Sequence, residues 1–243
     1  MLILCIAMTL FASCGLEDYL YLYPVPLSNI TVQLNSRATI RLPSSDNYDS
    51  VSNFHFTLFY RIYISDMPYD SISTSDYNRL NSTLASDYNA LLPYTDTSST
   101  STTNVSAVGT VFRNRNYYAL EFESGNIDSA LGSGAGGRTI ELDFLQNQGF
   151  IPAMNIDATS YRLYRSNGSG NFSPEPDRYF RASDDLTDTA KATSLVNADV
   201  VPVSGTPPDR HAYAAFYITA SGMDGNFSPV YSAPTFVGVL RLP

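Results

Sequence analysis

The sequence predicts an all-β protein of two tandem β-sandwiches with one helical insertion in the first. Three observations carry that expectation. From Phe54 to Ile64 the even positions are all apolar or aromatic while the odd ones are mixed, and Ala214, Phe216, Ile218 and Ala220 alternate in the same way. A period of two marks a strand with one face on a core. Three segments also recur, in order, about 100 residues apart, the size of one sandwich: Ala38–Leu42 as Arg138–Leu142, Tyr60–Ser65 as Tyr161–Ser166, and, more loosely, Tyr117–Phe122 as Ala212–Tyr217. Finally, charged residues make up 15% of the chain and tyrosines number 18. Low charge with many strand-favouring aromatics suits a β-protein.

The elements follow along the chain. Residues 1–13 form an uncharged, mostly apolar leader and 14–26 a short tether. Ile30–Leu34 and Ala38–Leu42, joined across Asn35-Ser36-Arg37, read as a hairpin. They open a first sandwich over 27–125. Within it, Tyr77, Leu80, Leu84, Tyr88 and Leu91 fall at spacings of 3, 4, 4 and 3. That stripe predicts a helix over about 75–92, with Ser75 as N-cap and Pro93 as stop. Thr95 to Ser106 lacks periodicity and reads as an exposed Ser/Thr loop. Residues 126–137, at the end of a stretch with five glycines, are a linker or a long hairpin. The second sandwich spans 138–243. Arg138 to Phe144 could close the first unit or open the second. The pentapeptide Gly170-Asn171-Phe172-Ser173-Pro174 returns as Gly225-Asn226-Phe227-Ser228-Pro229, and its Gly-Asn pair is suited to the positive φ of a tight turn.

Tyr161-Arg162-Leu163-Tyr164-Arg165-Ser166 is similar to the third strand of bacterial fibronectin type III domains. Phe216 to Ala220, followed by Asp224-Gly225-Asn226-Phe227-Ser228-Pro229, is similar to their sixth strand and its hairpin. The resemblance covers 138–243 and extends more faintly over 24–125; it implies Ig-like sandwiches. The chain has no Trp, so Phe144 or its neighbours would fill the volume that a second-strand Trp takes in that family, and Ala214 stands where the family places a tyrosine.

At the N-terminus, Leu2 to Ala12 has the length of a signal-peptide h-region and is too short for a span of about 20 residues. It ends in Phe11-Ala12-Ser13-Cys14. This resembles the lipobox of bacterial lipoproteins, although no Lys or Arg precedes it. The resemblance implies export, cleavage before Cys14, acylation of Cys14 and tethering to a membrane through its acyl chains. Several chains at about 0.8 kcal/mol per buried CH₂ hold a protein stably where one does not. Gly15, in place of an Asp, implies the outer membrane of the bacterial envelope, on its surface or its periplasmic face.

Composition then bounds the chemistry. With Cys5 removed and Cys14 acylated, no cysteine remains for a disulfide, a thiolate metal site or a nucleophile. A net charge of -9 and a pI near 4.5, with no basic run, argue against nucleic acid. His55 lies on the mixed face of a strand and His211 follows the turn Pro207-Pro208-Asp209-Arg210. Neither has a nucleophile motif beside it. Gly132 to Gly137 lacks the Lys of a phosphate loop. Glu175, Asp177, Asp184, Asp185 and Asp188 are oxygen donors of the kind calcium favours, without EF-hand spacing, and read as a solvated acidic loop. No catalytic residue, metal ligand or cofactor is therefore assigned. Tyr63, Tyr164 and Tyr217 should point away from the cores, where tyrosines serve strand propensity or contacts with protein or glycan. The expected function is that of a lipid-anchored, non-catalytic binding, adhesion or interaction module with a protein or glycan ligand, displaying loops such as Thr95–Ser106 and Gly222–Ser228. The alternatives are a periplasm-facing structural or assembly lipoprotein and a carbohydrate-binding accessory protein.

Overall fold

The computed structural model describes residues 22–33, 36–49, 51–65, 112, 114, 116–122, 131–145, 152–157, 159–165, 180, 200–202 and 211–242. The leader, Cys14, the helix expected at 75–92, the Thr95–Ser106 loop, the Gly170–Pro174 pentapeptide and the acidic residues Glu175, Asp177, Asp184, Asp185 and Asp188 lie outside these residues.

The described residues form an all-β body of two largely antiparallel sheets. The first contains β1 (Ile30–Gln33), β2 (Arg37–Arg41), β5 (Glu121–Phe122), β6 (Thr139–Asp143), β7 (Ala153–Ile156) and β8 (Thr159–Tyr164), in the spatial order β1-β2-β6-β7-β8-β5. The second is organised on two long strands, β3 (Ser52–Ser65) and β10 (His211–Met223), antiparallel over nearly their full lengths. Outside β3 lie β4 (Tyr118–Ala119) and, running parallel to it, β9 (Val200–Pro202). Outside β10 lie β11 (Pro229–Tyr231) and β12 (Thr235–Arg241).

Local sequence explains each of these strands. The expected N-terminal hairpin is present as β1 and β2, with Val32 opposite Ala38 and the Ser36 amide donating to the Gln33 carbonyl at 3.1 Å. The even residues of β3 and of β10 turn into a common core. Phe56, Leu58, Tyr60 and Ile62 meet Ala214, Phe216, Ile218 and Ala220, all buried. Ala38 and Ile40 of β2, Ile140 and Leu142 of β6, Met154 and Ile156 of β7 and Leu163 of β8 close the same core from the first sheet. At its centre Phe144, Phe180 and Phe216 pack at ring separations of 5.6–6.1 Å, and Tyr60 meets Phe180 edge-on at 4.7 Å. Phe144 thus occupies the interior.

The strand pairing departs from the expected division at 126–137. Arg37–Arg41 pairs with Thr139–Asp143, and Ser52–Ser65 pairs with His211–Met223. Residues of 27–125 and of 138–243 therefore share both sheets and one core, and the tandem arrangement is corrected to interleaved halves. The repeat has a physical cause. Ala38–Leu42 and Arg138–Leu142 lie on adjacent antiparallel strands of one sheet, face the same core, and so carry the same inward alternation. The question left open for Arg138–Phe144 is answered by β6, which pairs with β2 on one side and β7 on the other. An ion pair fixes that register: Arg37 Nη2 donates to Asp143 Oδ2 at 2.9 Å, and this bond raises the guanidinium pKa above its ordinary value.

The described part of the Gly-rich stretch is a packed turn. Leu131 and Ala135 are buried, Ser133–Ala135 forms a 3-10 turn, and Gly132 bridges His55 of β3. Gly136 lies against the 3-10 turn Ser45–Tyr48 so closely that a Cβ would sit 2.4 Å from the Ser45 nitrogen, which makes glycine necessary there.

Candidate functional site

The two sheets give the molecule two ends. At one, the N-terminal arm Leu22–Asn29 enters the core through Leu22 and Val25. The Tyr48 hydroxyl donates to the Tyr23 carbonyl at 2.9 Å, and the Tyr48 ring stacks on Phe54 at 4.2 Å. Burial pushes the Tyr48 pKa up to about 12. The Thr235 hydroxyl donates to the Val25 carbonyl and pins the arm to β12. Next to Phe54, the start of β3 meets the end of β10. The Ser52 hydroxyl donates to the Met223 carbonyl at 3.3 Å, and Asn53 Nδ2 lies 3.6 Å from Met223 Sδ. A Cβ on Gly222 would come within 2.7 Å of Val51, so the approach of these strands requires glycine.

Immediately beyond is the turn joining β10 to β11. Asp224 organises it: its Oδ1 accepts from the amides of Asn226 and Ser228, both at 2.8 Å. Its own amide donates to the Ser228 carbonyl, and its carbonyl accepts from the Phe227 amide, each at 3.0 Å. The positive φ falls on Phe227 (61°) and on neither Gly225 nor Asn226, which corrects the expectation for the Gly-Asn pair. Phe227 is 79% exposed. A bulky residue rarely adopts the left-handed region, and here the hydrogen bonds that Asp224 accepts from the amides on either side hold Phe227 in it. Tyr23 (55% exposed) and Leu27 (54%), on the arm, belong to the same end.

The tyrosines proposed as outward contacts behave differently. Tyr63 and Tyr217 do leave the main core, but into a second apolar layer on the outer face of the β3–β10 sheet. There Phe59, Phe112, Tyr117 and Tyr217 pack together, with Phe59 and Phe112 stacked at 4.2 Å. The Tyr63 and Tyr117 hydroxyls lie 3.1 Å apart, and the Arg61 guanidinium stands over both rings at 5.7 and 5.9 Å. Tyr63, Tyr164 and Tyr217 are all buried, so none is available for surface contact. Alternation identified the face and carried no signal for the layer that covers it.

His55 is half-buried, and its Nδ1 donates to the Asn53 carbonyl at 2.8 Å, because a carbonyl can only accept. Ser221, opposite it in register, shares its hydroxyl with Thr57 at 2.9 Å and Thr219 at 3.1 Å. These contacts lock β3 to β10 through hydrogen bonds. Among the described residues no group of three or more His, Cys, Asp or Glu is placed to hold a metal ion, and no helix is long and apolar enough to cross a membrane. Compared with known proteins, the chain matches no family model, no curated protein and no solved structure.

Proposed function

We propose that this chain is a bacterial envelope lipoprotein, cleaved before Cys14 and held to a membrane by acyl chains on that residue, which acts as a non-catalytic interaction module. The observation that carries this reading is the uncharged leader ending in Phe11-Ala12-Ser13-Cys14. The fold supports it, because Leu22 is buried eight positions after Cys14. A lipid on Cys14 would therefore act directly on a folded body. Of the loops expected to meet a protein or glycan, Gly222–Ser228 lies at the arm end, beside the start of β3.

The body is a single sandwich of fibronectin type III or Ig-like kind on this reading. The neighbours β1-β2-β6 facing β12/β11-β10-β3-β4 match the A-B-E and G-F-C neighbour relations of that architecture, with β7, β8 and β5 added beyond β6. The motifs that carried the resemblance belong to different sheets: Tyr161–Tyr164 lies in β8, whereas β10 pairs with the earlier Tyr60–Ser65 segment of β3.

Replacing Cys14 with Ala decides the anchoring. The native chain should incorporate labelled palmitate and partition into detergent, and the variant should do neither. Continued partitioning of the variant would refute the reading. Protease shaving of intact cells, beside a periplasmic control, then separates the surface role from the periplasm-facing assembly role.

A further inference from the structure

We infer that the arm end of the sandwich is a lipid-docking face, with Phe227 at the tip of the β10–β11 turn as its inserting residue. The inference rests on the anchoring of Cys14 and adds to it a defined orientation of the body. Three observations carry it.

The first is Phe227 itself. It is a large apolar side chain held in a left-handed conformation, 79% exposed, on a turn made rigid by four hydrogen bonds to Asp224. The turn holds an apolar ring in solvent in a conformation that bulky residues rarely adopt. The second is where the other exposed large apolar residues lie. Among the described residues these are Tyr23 and Leu27. Both belong to the arm, which is continuous with the turn through Tyr48, Phe54, Asn53 and Met223.

The third is the length of chain back to the anchor. From Cys14 to Leu22 is eight residues, a reach of at most about 29 Å even when fully extended. The opposite end is separated from the arm end by the 14 residues of β3, about 45 Å at the strand rise. The anchor therefore holds the arm end close to the lipid headgroups. An amphipathic Tyr, a Leu and a Phe on that end suit the headgroup–acyl boundary. The charge there selects the lipid. Among the described residues of that end, Arg41 and Arg138 are outnumbered by Asp46, Asp49, Asp157 and Asp224, which disfavours an anionic surface and fits a zwitterionic one.

The absence of Trp from the chain makes the test direct. Phe227→Trp in the acylated full-length protein places a single reporter at the turn, and Leu27→Trp places one on the arm. Arg241→Trp marks the far end, where β12 pairs with Tyr213 of β10 and Tyr213 with Tyr63 of β3. Each is reconstituted into phosphatidylcholine vesicles with brominated acyl chains, and attachment is read separately by flotation and palmitate labelling. Docking predicts a blue shift and loss of most emission for Trp at 227 and at 27, with Arg241→Trp unaffected. Proteins that float with the vesicles while the 227 reporter stays unquenched overturn the docking face and leave the anchor standing; so does equal quenching at 241. Failure to label and float removes the anchor and the inference with it.

Discussion

The pairing of β2 with β6 can be tested through Ile40 and Ile140. They are direct register partners, both fully buried, contributed by segments 100 residues apart. Opposed residues in an antiparallel pair hold their Cβ atoms about 4.5–5.5 Å apart, so these two side chains occupy one patch of core. Truncating either Ile to Ala should cost about 2–5 kcal/mol, the transfer loss plus a cavity. In the double variant the second truncation removes contacts that the first has already lost, and the two cavities merge. The double variant should then lose less than the sum of the singles, by about 0.5–3 kcal/mol. Urea unfolding of the Cys14→Ala chain, followed by far-ultraviolet circular dichroism and tyrosine fluorescence, measures all four corners of the cycle. Total stability is of the order of 5–15 kcal/mol, so a parallel cycle with Val, at about 0.5–1.5 kcal/mol per site, keeps every variant folded. A single transition with coupling supports interleaved halves. Two transitions, each shifted by only one of the substitutions, or additivity within about 0.3 kcal/mol, would refute the pairing.

Other outcomes follow from local contacts. Burial raises the Tyr48 pKa from 10.0 to about 12, so the folded state favours the protonated phenol. Its contribution is complete below pH 10 and is lost as the pH rises through about 12; the stability difference between the native chain and Tyr48→Phe should shrink over that window in urea titrations. Gly136→Ala should cost about 1–3 kcal/mol, because its Cβ would strike the Ser45 backbone. Gly134→Ala, with nothing within 4 Å of the new Cβ, should stay within about 0.5 kcal/mol of the native chain in the same thermal melts. Asp224→Ala removes the acceptor of two amides, and at about 0.5–1.5 kcal/mol per hydrogen bond it should lower the urea midpoint and speed amide exchange at Asn226 and Ser228.

Strand identity was legible wherever a single face decided it. The alternation read in Phe54–Ile64, seen in the core from Phe56 to Ile62, that in Ala214–Ala220 and the hairpin of β1 and β2 are properties of short segments, and all are present in the fold. Less could be read of the candidate site. The motif Asp224–Pro229 marked a turn, but the residue with positive φ is Phe227, because the two amides held by Asp224 dictate the backbone path. Likewise Tyr63 and Tyr217 were placed on the correct face, while their burial depends on Phe112 and Tyr117 arriving from elsewhere in the chain.

The sequence by itself determined the all-β class, the inward residues of the principal strands and an uncharged, mostly apolar segment ahead of Cys14. Tertiary structure decided which strand lies beside which. Segments that face one core carry one alternation, so Ala38–Leu42 and Arg138–Leu142 look the same whether they repeat in two domains or pair in one sheet. The choice rests on long-range register and on the burial of a common core, and neither is encoded within any single segment.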